Sequence, residues 1–206
     1  ASWKLVSAAT DWAFHDEEVQ RMVEIFSRHA PFEYYGNYSK YTKNNMQIER
    51  CSVQDALEKG YHLGFTAGSD SHQMEHGVEG GITISFVDKL NNENIWDNLY
   101  DRFMYGTSGA GILVSFKCDG KEMGQIVEKP VHSSVDFTVS VLGTDKLKVE
   151  VLCNNKVIEE KVSDGREWDF TFTKEVNEQE DFYYVRVTQE DEHQAWSSPI
   201  WVKGNK

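Results

Sequence analysis

The stretch DFTVSVLGTDKLKVEVLCNN, residues 136–155, shows the alternation of apolar and polar residues that is typical of β-strands. Apolar residues take every second position around Val139 and again around Val151, so each segment presents one face to a core and one to water. The pair Asn154-Asn155 then favours a two-residue turn into a further strand at 157–162. This stretch therefore predicts successive antiparallel strands.

The same pattern extends in both directions from this stretch. Further short strands are predicted at 112–118, 168–172, 182–189 and 198–203, with almost no helical periodicity between them. Closely spaced short strands predict an antiparallel β-sandwich, which we assign to residues 109–206. Trp168, Trp196 and Trp201 fall within it. Inward tryptophans indicate core packing, whereas an exposed aromatic face indicates a surface for carbohydrate or a protein partner.

Upstream of residue 109 the pattern changes to alternating strand and helix signals. Ser52 followed by Asp55 predicts the capped start of a helix that Gly60 ends. The other predicted elements are a short polar helix at 16–21, strands at 23–27, 61–67 and 81–87, a loop at 34–49 and an amphipathic helix at 92–105. Alternation of this kind predicts an α/β domain over residues 1–108, joined to the sandwich through the small residues GTSGAG, 106–111.

Composition limits the classes of partner. The 206 residues are 39% hydrophobic, as in ordinary globular domains, and carry a formal net charge of −13. Such a surface repels nucleic acid, and no apolar run reaches the roughly 18 residues of a membrane span. The cysteines, Cys51, Cys118 and Cys153, lack a C-x-x-C pattern and are interpreted as small buried hydrophobic residues. No signal peptide is recognisable at the first residues, and the sequence assigns no compartment.

The segment GFTAGSDSH, 64–72, is the densest in chemistry. It places Asp70 and His72 directly after a predicted strand, and at a spacing of two both side chains project the same way. A second predicted strand is followed by His29. If the two strands are neighbours, one carboxylate and two imidazoles converge on a divalent ion such as zinc or manganese. The alternatives are a solvated turn for Asp70 and a surface position for His29.

The remaining candidates receive simpler interpretations. Glu24 is expected to form hydrogen bonds within the sheet or to lie just behind the metal ligands. His15 is interpreted as a helix-start residue and His76 as a loop residue without a role, and no chemistry is assigned to His62, His132 and His193. No nucleophile elbow, phosphate-binding glycine loop or dinucleotide motif is present.

Taken together, LGFTAGSDSH, VEIFSRHAPFE, YGTSGAGILVSF and AWSSPIW resemble a subgroup of the PHP superfamily (polymerase and histidinol phosphatase) known as a domain of unknown function. The resemblance implies a distorted (β/α)7 barrel followed by a β-rich extension, with two or three zinc or manganese ions that activate water for phosphoester hydrolysis. It assigns His29, Asp70 and His72 as metal ligands, Asp70 and His72 as catalytic residues, and Glu33 as a nearby acid. The implied partner is a small phosphoester.

The sequence departs from that family in two respects. It contains no H-x-H motif, and Gly111 stands where the subgroup is expected to have arginine. We therefore expect the C-terminal part of a longer enzyme, weakly active alone, whose open edge pairs with the missing N-terminal half of the barrel or with another copy. Two alternatives stay open: a non-catalytic binding module that uses the sandwich, and hydrolysis of amides or carboxyl esters by the same ligands.

Overall fold

The structure is a computed structural model, which describes residues 10–43, 45–73 and 77–205. These residues contain two helices, α1 (Val53–Glu58) and α2 (Asn92–Tyr100). Their strands are β1 (Met22–Phe26), β2 (Gly64–Ala67), β3 (Ile82–Ile84), β4 (Tyr105–Thr107), β5 (Leu113–Cys118), β6 (Lys121–Glu122), β7 (Ile126–Pro130), β8 (Ser134–Leu142), β9 (Leu147–Cys153), β10 (Lys156–Ser163), β11 (Glu167–Glu175), β12 (Asp181–Gln189), β13 (Gln194–Ser197) and β14 (Ile200–Asn205).

Two sheets pack face to face around the larger core. Within the described residues, one sheet has four strands in the order β11-β8-β5-β6; the other has eight, with the main path β10-β9-β12-β13-β4-β3 and β14 and β7 attached beside β12. Alternate residues of β8 point inward and are buried: Val135, Phe137, Val139 and Val141. Each such burial contributes roughly 1.5–3 kcal/mol. The predicted antiparallel β-sandwich is confirmed.

A third layer covers the outer face of the larger sheet. Strand β12 is buried on both sides, because Tyr183 and Val185 face the sandwich core while Tyr184 faces a second apolar cluster. That second cluster unites β12 with β1, β2 and α1, and it includes Phe65 of β2 and Trp196 of β13. The two-sided burial explains the nearly unbroken apolar run in β12, since neither face meets water.

Two local signals predicted from the sequence are confirmed. Strands β9 and β10 form an antiparallel hairpin in which Cys153 pairs with Lys156, and the turn residues Asn154 and Asn155 have φ of 48° and 63°. Asparagine tolerates this left-handed conformation, which tight hairpins require. At the start of α1, Ser52 and Asp55 exchange side-chain and backbone hydrogen bonds as a capping box.

Strand β4 joins the third layer to the sandwich. It pairs with β3 on one side and with β13 on the other. Its Gly106 lies so close to β1 and β2 that an added Cβ would sit 3.0 Å from Ala67 Cβ and 3.0 Å from Ile25 Cγ2. A side chain does not fit there without displacement. The division of the chain into one domain over residues 1–108 and another over residues 109–206 stays a prediction.

The predicted barrel is wrong. In the described part of residues 1–108, β1 and β2 form a two-stranded parallel sheet, but β3 and β4 pair antiparallel and belong to the larger sheet of the sandwich. A (β/α)7 barrel requires consecutive parallel strands, each followed by a helix. The chain is instead dominated by antiparallel β-structure, with short helices.

Two of the predicted helices differ from the structure. Residues 17–19 form a turn rather than part of a helix, and α2 ends at Tyr100 rather than at residue 105, which lies in β4. Among the residues that the structure describes, no helix is both long enough and apolar enough to cross a membrane. Of the sandwich tryptophans, Trp196 and Trp201 are buried in the core, so they offer no exposed face to a ligand.

Candidate cation cluster and its cleft

The pairing of β1 with β2 determines where the candidate site forms. The two strands are parallel, with Phe26 opposite Ala67 at their carboxyl ends. His29 follows the end of β1, and Asp70 and His72 follow the end of β2. Because the carboxyl ends of parallel strands meet at one edge of a sheet, the two loops emerge side by side.

The structure brings the three predicted ligands together. His29 Nε2 lies 3.2 Å from Asp70 Oδ2, and one ligand atom from each of His29, Asp70 and His72 falls within 4.8 Å of the others. We call these three residues the cation cluster. Zinc binds nitrogen and oxygen at about 2 Å, so two of its ligand atoms lie at most about 4 Å apart. The ligand atom that lies farthest from the other two therefore has to move closer before all three bind one ion.

The backbone beneath the cluster is held by close contact with a neighbouring loop. Gly81 N donates a 2.8 Å hydrogen bond to Gly68 O, and a Cβ on Gly81 would lie 2.6 Å from Ala67 Cβ. Asp70 itself has a φ of 47°, a conformation that short polar residues tolerate better than most. The backbone that leads into the turn is therefore closely packed, and the Asp70 side chain is half exposed.

Glu24 stands beside the cluster on β1. Loss of hydration around its carboxylate, followed by the nearby negative charge of Asp70, raises the pKa of Glu24 to about 7. The residue as a whole is exposed, so the effect belongs to the carboxylate at the margin of the cleft. Two adjacent carboxylates make this edge electronegative, which favours a cation there.

A cleft of about 500 Å³ opens directly from the cluster, which forms part of its wall. Most of the remaining wall is apolar or aromatic, with contributions from Trp12, Phe32, Tyr34, Tyr35, Met46 and Ile48. Tyr34 and Tyr35 are 38% and 53% exposed, so their rings are accessible to a ligand. Tyr34, Tyr35, Met46 and Ile48 fall within the loop predicted at 34–49, whose aromatic and polar residues show no periodicity that would indicate a binding wall.

Glu33 does not join the cluster. Its carboxylate is fully buried and accepts hydrogen bonds from Tyr184 Oη at 2.7 Å, Arg186 Nη1 at 2.9 Å and Trp196 Nε1 at 2.9 Å. Burial lowers the pKa of Arg186, but the charges of Glu33 and Glu150 outweigh it and the net pKa is raised. This network ties the loop after β1 to β12 and β13.

The remaining histidines lie apart from the cluster. His15 stacks on Tyr61, His62 is bonded to two glutamates, and His132 pairs with Glu175 at an exposed position. His193 stacks on Tyr41. His76 lies outside the described residues.

Comparison with known proteins yields relatives without an assigned activity. The chain matches no protein-family model. It is 29% identical to an uncharacterized protein of Chlamydia pneumoniae, over 91% of this chain and 35% of that protein. An uncharacterized protein of Chlamydia trachomatis is 26% identical, over 93% of this chain and 36% of that protein. The chain thus spans about a third of the length of the curated relatives it matches.

One solved structure overlaps in part with the chain. It contains fibronectin(III)-like modules of Clostridium thermocellum CbhA, and it covers 46% of this chain at 14% identity with a TM-score of 0.33. This similarity is too low to add to what the strand topology shows.

These findings correct the identification made from the sequence. No PHP family model matches, the relatives are uncharacterized, and the described fold is a β-sandwich with a small third layer. The assignment to the PHP superfamily is therefore wrong, and with it the assignment of the chain as a metal-dependent phosphoesterase. The competing interpretation, a non-catalytic binding module that uses the sandwich, stays a prediction; Trp196 and Trp201 are buried, and Trp168 is half-buried.

Proposed function

We propose that this chain is a ligand-binding module that holds a divalent cation at His29, Asp70 and His72 and receives its ligand in the adjoining aromatic cleft. The observation that carries the proposal is the convergence of three ligand atoms within 4.8 Å at the wall of a cleft of about 500 Å³. Two imidazoles and a carboxylate are a donor set suited to zinc or manganese. The proposal is for one ion at these three residues, and the two or three ions that the resemblance implied stay a prediction.

The combination of cation and aromatic wall defines the chemistry of the ligand. A cation with three protein ligands has coordination positions left for oxygen donors of a bound molecule. Tyr34 and Tyr35 offer exposed ring faces against which an apolar or planar body packs. The expected ligand therefore has an oxygen-donor group at one end and a stacking surface at the other.

Isothermal titration with Zn²⁺ and Mn²⁺ tests the cation site. The wild-type chain is expected to bind the ion, and Asp70→Asn to bind it at least about tenfold more weakly, since a charged ligand is lost. The matched control is Asp88→Asn, an exposed aspartate outside the cluster, which is expected to bind like wild type. Equal affinity in both variants, or no binding by the wild type, contradicts the proposal.

A further inference from the structure

A second cavity, separate from the aromatic cleft, is basic. It measures about 450 Å³ and is lined by Arg28, Lys40 and Lys43 together with Tyr41 and His193. The chain has 21 basic against 34 acidic residues, whereas three basic side chains and one acidic side chain, Glu79, line this cavity. We call this cavity the basic pocket.

Two glutamates form ion pairs with the basic side chains of the pocket. Glu79 Oε2 lies 2.9 Å from Lys43 Nζ and 3.8 Å from Arg28 Nη2, and Glu192 Oε1 lies 3.2 Å from Lys40 Nζ. Both glutamates are about half exposed or more, at 48% and 63%. Exposed pairs of this kind contribute about 0–1 kcal/mol each, so an anion that contacts all three cations can replace carboxylates that contact one or two of them.

The opposite part of the pocket is flat, and Asp191 lies beside it, with Oδ1 accepting a 3.0 Å hydrogen bond from His193 N. The rings of Tyr41 and His193 stack with centroids 3.6 Å apart and planes 12° apart. Ser108 Oγ accepts a hydrogen bond from Gln194 N and lies 2.9 Å from His193 Nδ1, which holds the imidazole ring in place. Burial lowers the pKa of His193, which favours its neutral form.

We propose that the basic pocket binds a doubly charged oxyanion, such as a phosphate or sulfate group. A single carboxylate ligand would only replace Glu79 or Glu192, which the chain already holds at high effective concentration. A dianion with several acceptor oxygens engages the guanidinium of Arg28 and both lysines at once, which neither glutamate does. The inference does not depend on the cation cluster.

Titration of metal-free, dialysed protein at low ionic strength tests the pocket, with inorganic phosphate, sulfate and acetate as probes. Phosphate and sulfate are expected to bind more tightly than acetate. The double variant Lys40→Gln/Lys43→Gln is expected to lose about tenfold in phosphate affinity, because two charge-assisted hydrogen bonds are removed. The control double variant Lys156→Gln/Lys203→Gln changes two exposed lysines elsewhere and is expected to match wild type.

A third variant makes the test independent of folding defects. Glu79→Gln removes the tethered competitor, so it is expected to tighten phosphate binding about threefold or more. Unchanged or weaker binding in Glu79→Gln, equal loss in both lysine pairs, or acetate binding as tightly as phosphate overturns the proposal. Phenyl phosphate distinguishes the source of the anion: tighter binding than inorganic phosphate indicates an ester that packs on Tyr41 and His193, and equal binding indicates the free anion.

Discussion

His29 Nε2 and Asp70 Oδ2 lie 3.2 Å apart, although they belong to loops that follow two different strands. The contact exists because β1 and β2 are parallel and their carboxyl ends lie side by side, with Phe26 opposite Ala67. Both side chains reach the wall of one aromatic cleft, and His72 joins them there. The parallel pairing of β1 with β2 is therefore enough to bring the two motifs together as a candidate cation site, and no barrel is needed.

The position of the bound ion is testable in solution by NMR. Trp12 lines the cleft beside the cluster, whereas Trp168 lies on β11 of the four-stranded sheet. Substoichiometric Mn²⁺ is therefore expected to broaden the indole N–H signal of Trp12 before that of Trp168, because paramagnetic relaxation falls steeply with distance. Equal broadening of both signals, or earlier loss of Trp168, would place the ion elsewhere.

The buried network around Glu33 is expected to dominate the stability of the third layer. Glu33→Ala leaves Arg186 with Glu150 alone and removes the acceptor of Tyr184 and Trp196. We expect the free energy of unfolding to fall by about 3–5 kcal/mol, as when one partner of a buried ion pair is removed. Urea denaturation measures this free energy of unfolding. The control is Glu178→Ala, at an exposed position, which is expected to change the free energy of unfolding by less than about 0.5 kcal/mol. A loss below about 1 kcal/mol in Glu33→Ala would refute this role.

Close packing at Gly106 is expected to hold β4 against β1 and β2. Gly106→Val places methyl groups against Ala67 and Ile25, where even a Cβ is crowded, so we expect a loss of about 1–3 kcal/mol or more. Gly111→Val is the matched control, because a Cβ at Gly111 meets nothing within 4 Å. Thermal denaturation measures the melting temperatures of the two variants, and that of Gly106→Val is expected to be lower. Similar melting temperatures would show that the contact is unimportant.

His62 is expected to make stability depend on pH. Burial lowers the pKa of His62, but hydrogen bonds and charges from Glu180 and Glu17 outweigh it, and the net pKa is raised above the ordinary 6.5. The protonated ring therefore stabilises the fold; its contribution is full below about pH 6.5 and is lost as the pH rises through the raised pKa.

The His62 prediction is measured by urea denaturation at pH 6 and pH 8.5. His62→Gln is expected to lose about 1–2 kcal/mol more at pH 6 than at pH 8.5, as expected for hydrogen bonds to charged groups. His132→Gln, which breaks an exposed pair with Glu175, is the control and is expected to change little at either pH. An equal loss at both values for His62→Gln would contradict the pH dependence.

Local sequence patterns predicted those parts of the fold that depend only on residues close together in the chain. The Asn154-Asn155 turn and the Ser52 capping box are decided within a few residues, so their patterns predicted them correctly. The position of β4 was not predictable in this way. Tyr105 is the last residue of the amphipathic helix predicted at 92–105, but its pairing with β3 and β13 is long-range and overrides helix propensity.

The candidate site likewise combines features that local sequence predicted with contacts that it did not. The motifs around His29 and Asp70 indicated the residue types of a cation site, and their convergence depended on one parallel pairing that the alternation of elements suggested. The resemblance to a barrel enzyme extended those motifs to a fold that the described strands do not form. Glu33 was expected beside the ligands, but its buried partners on β12 and β13 are distant in sequence and leave no local pattern.

Anomalous diffraction from crystals soaked with Zn²⁺ tests the central claim most directly. We expect an anomalous peak about 2 Å from His29 Nε2 and from an Asp70 carboxylate oxygen, with His72 as a third ligand, and no such peak in Asp70→Asn crystals. A peak at other residues only, or a cluster that stays without zinc at saturating concentration, would contradict the account.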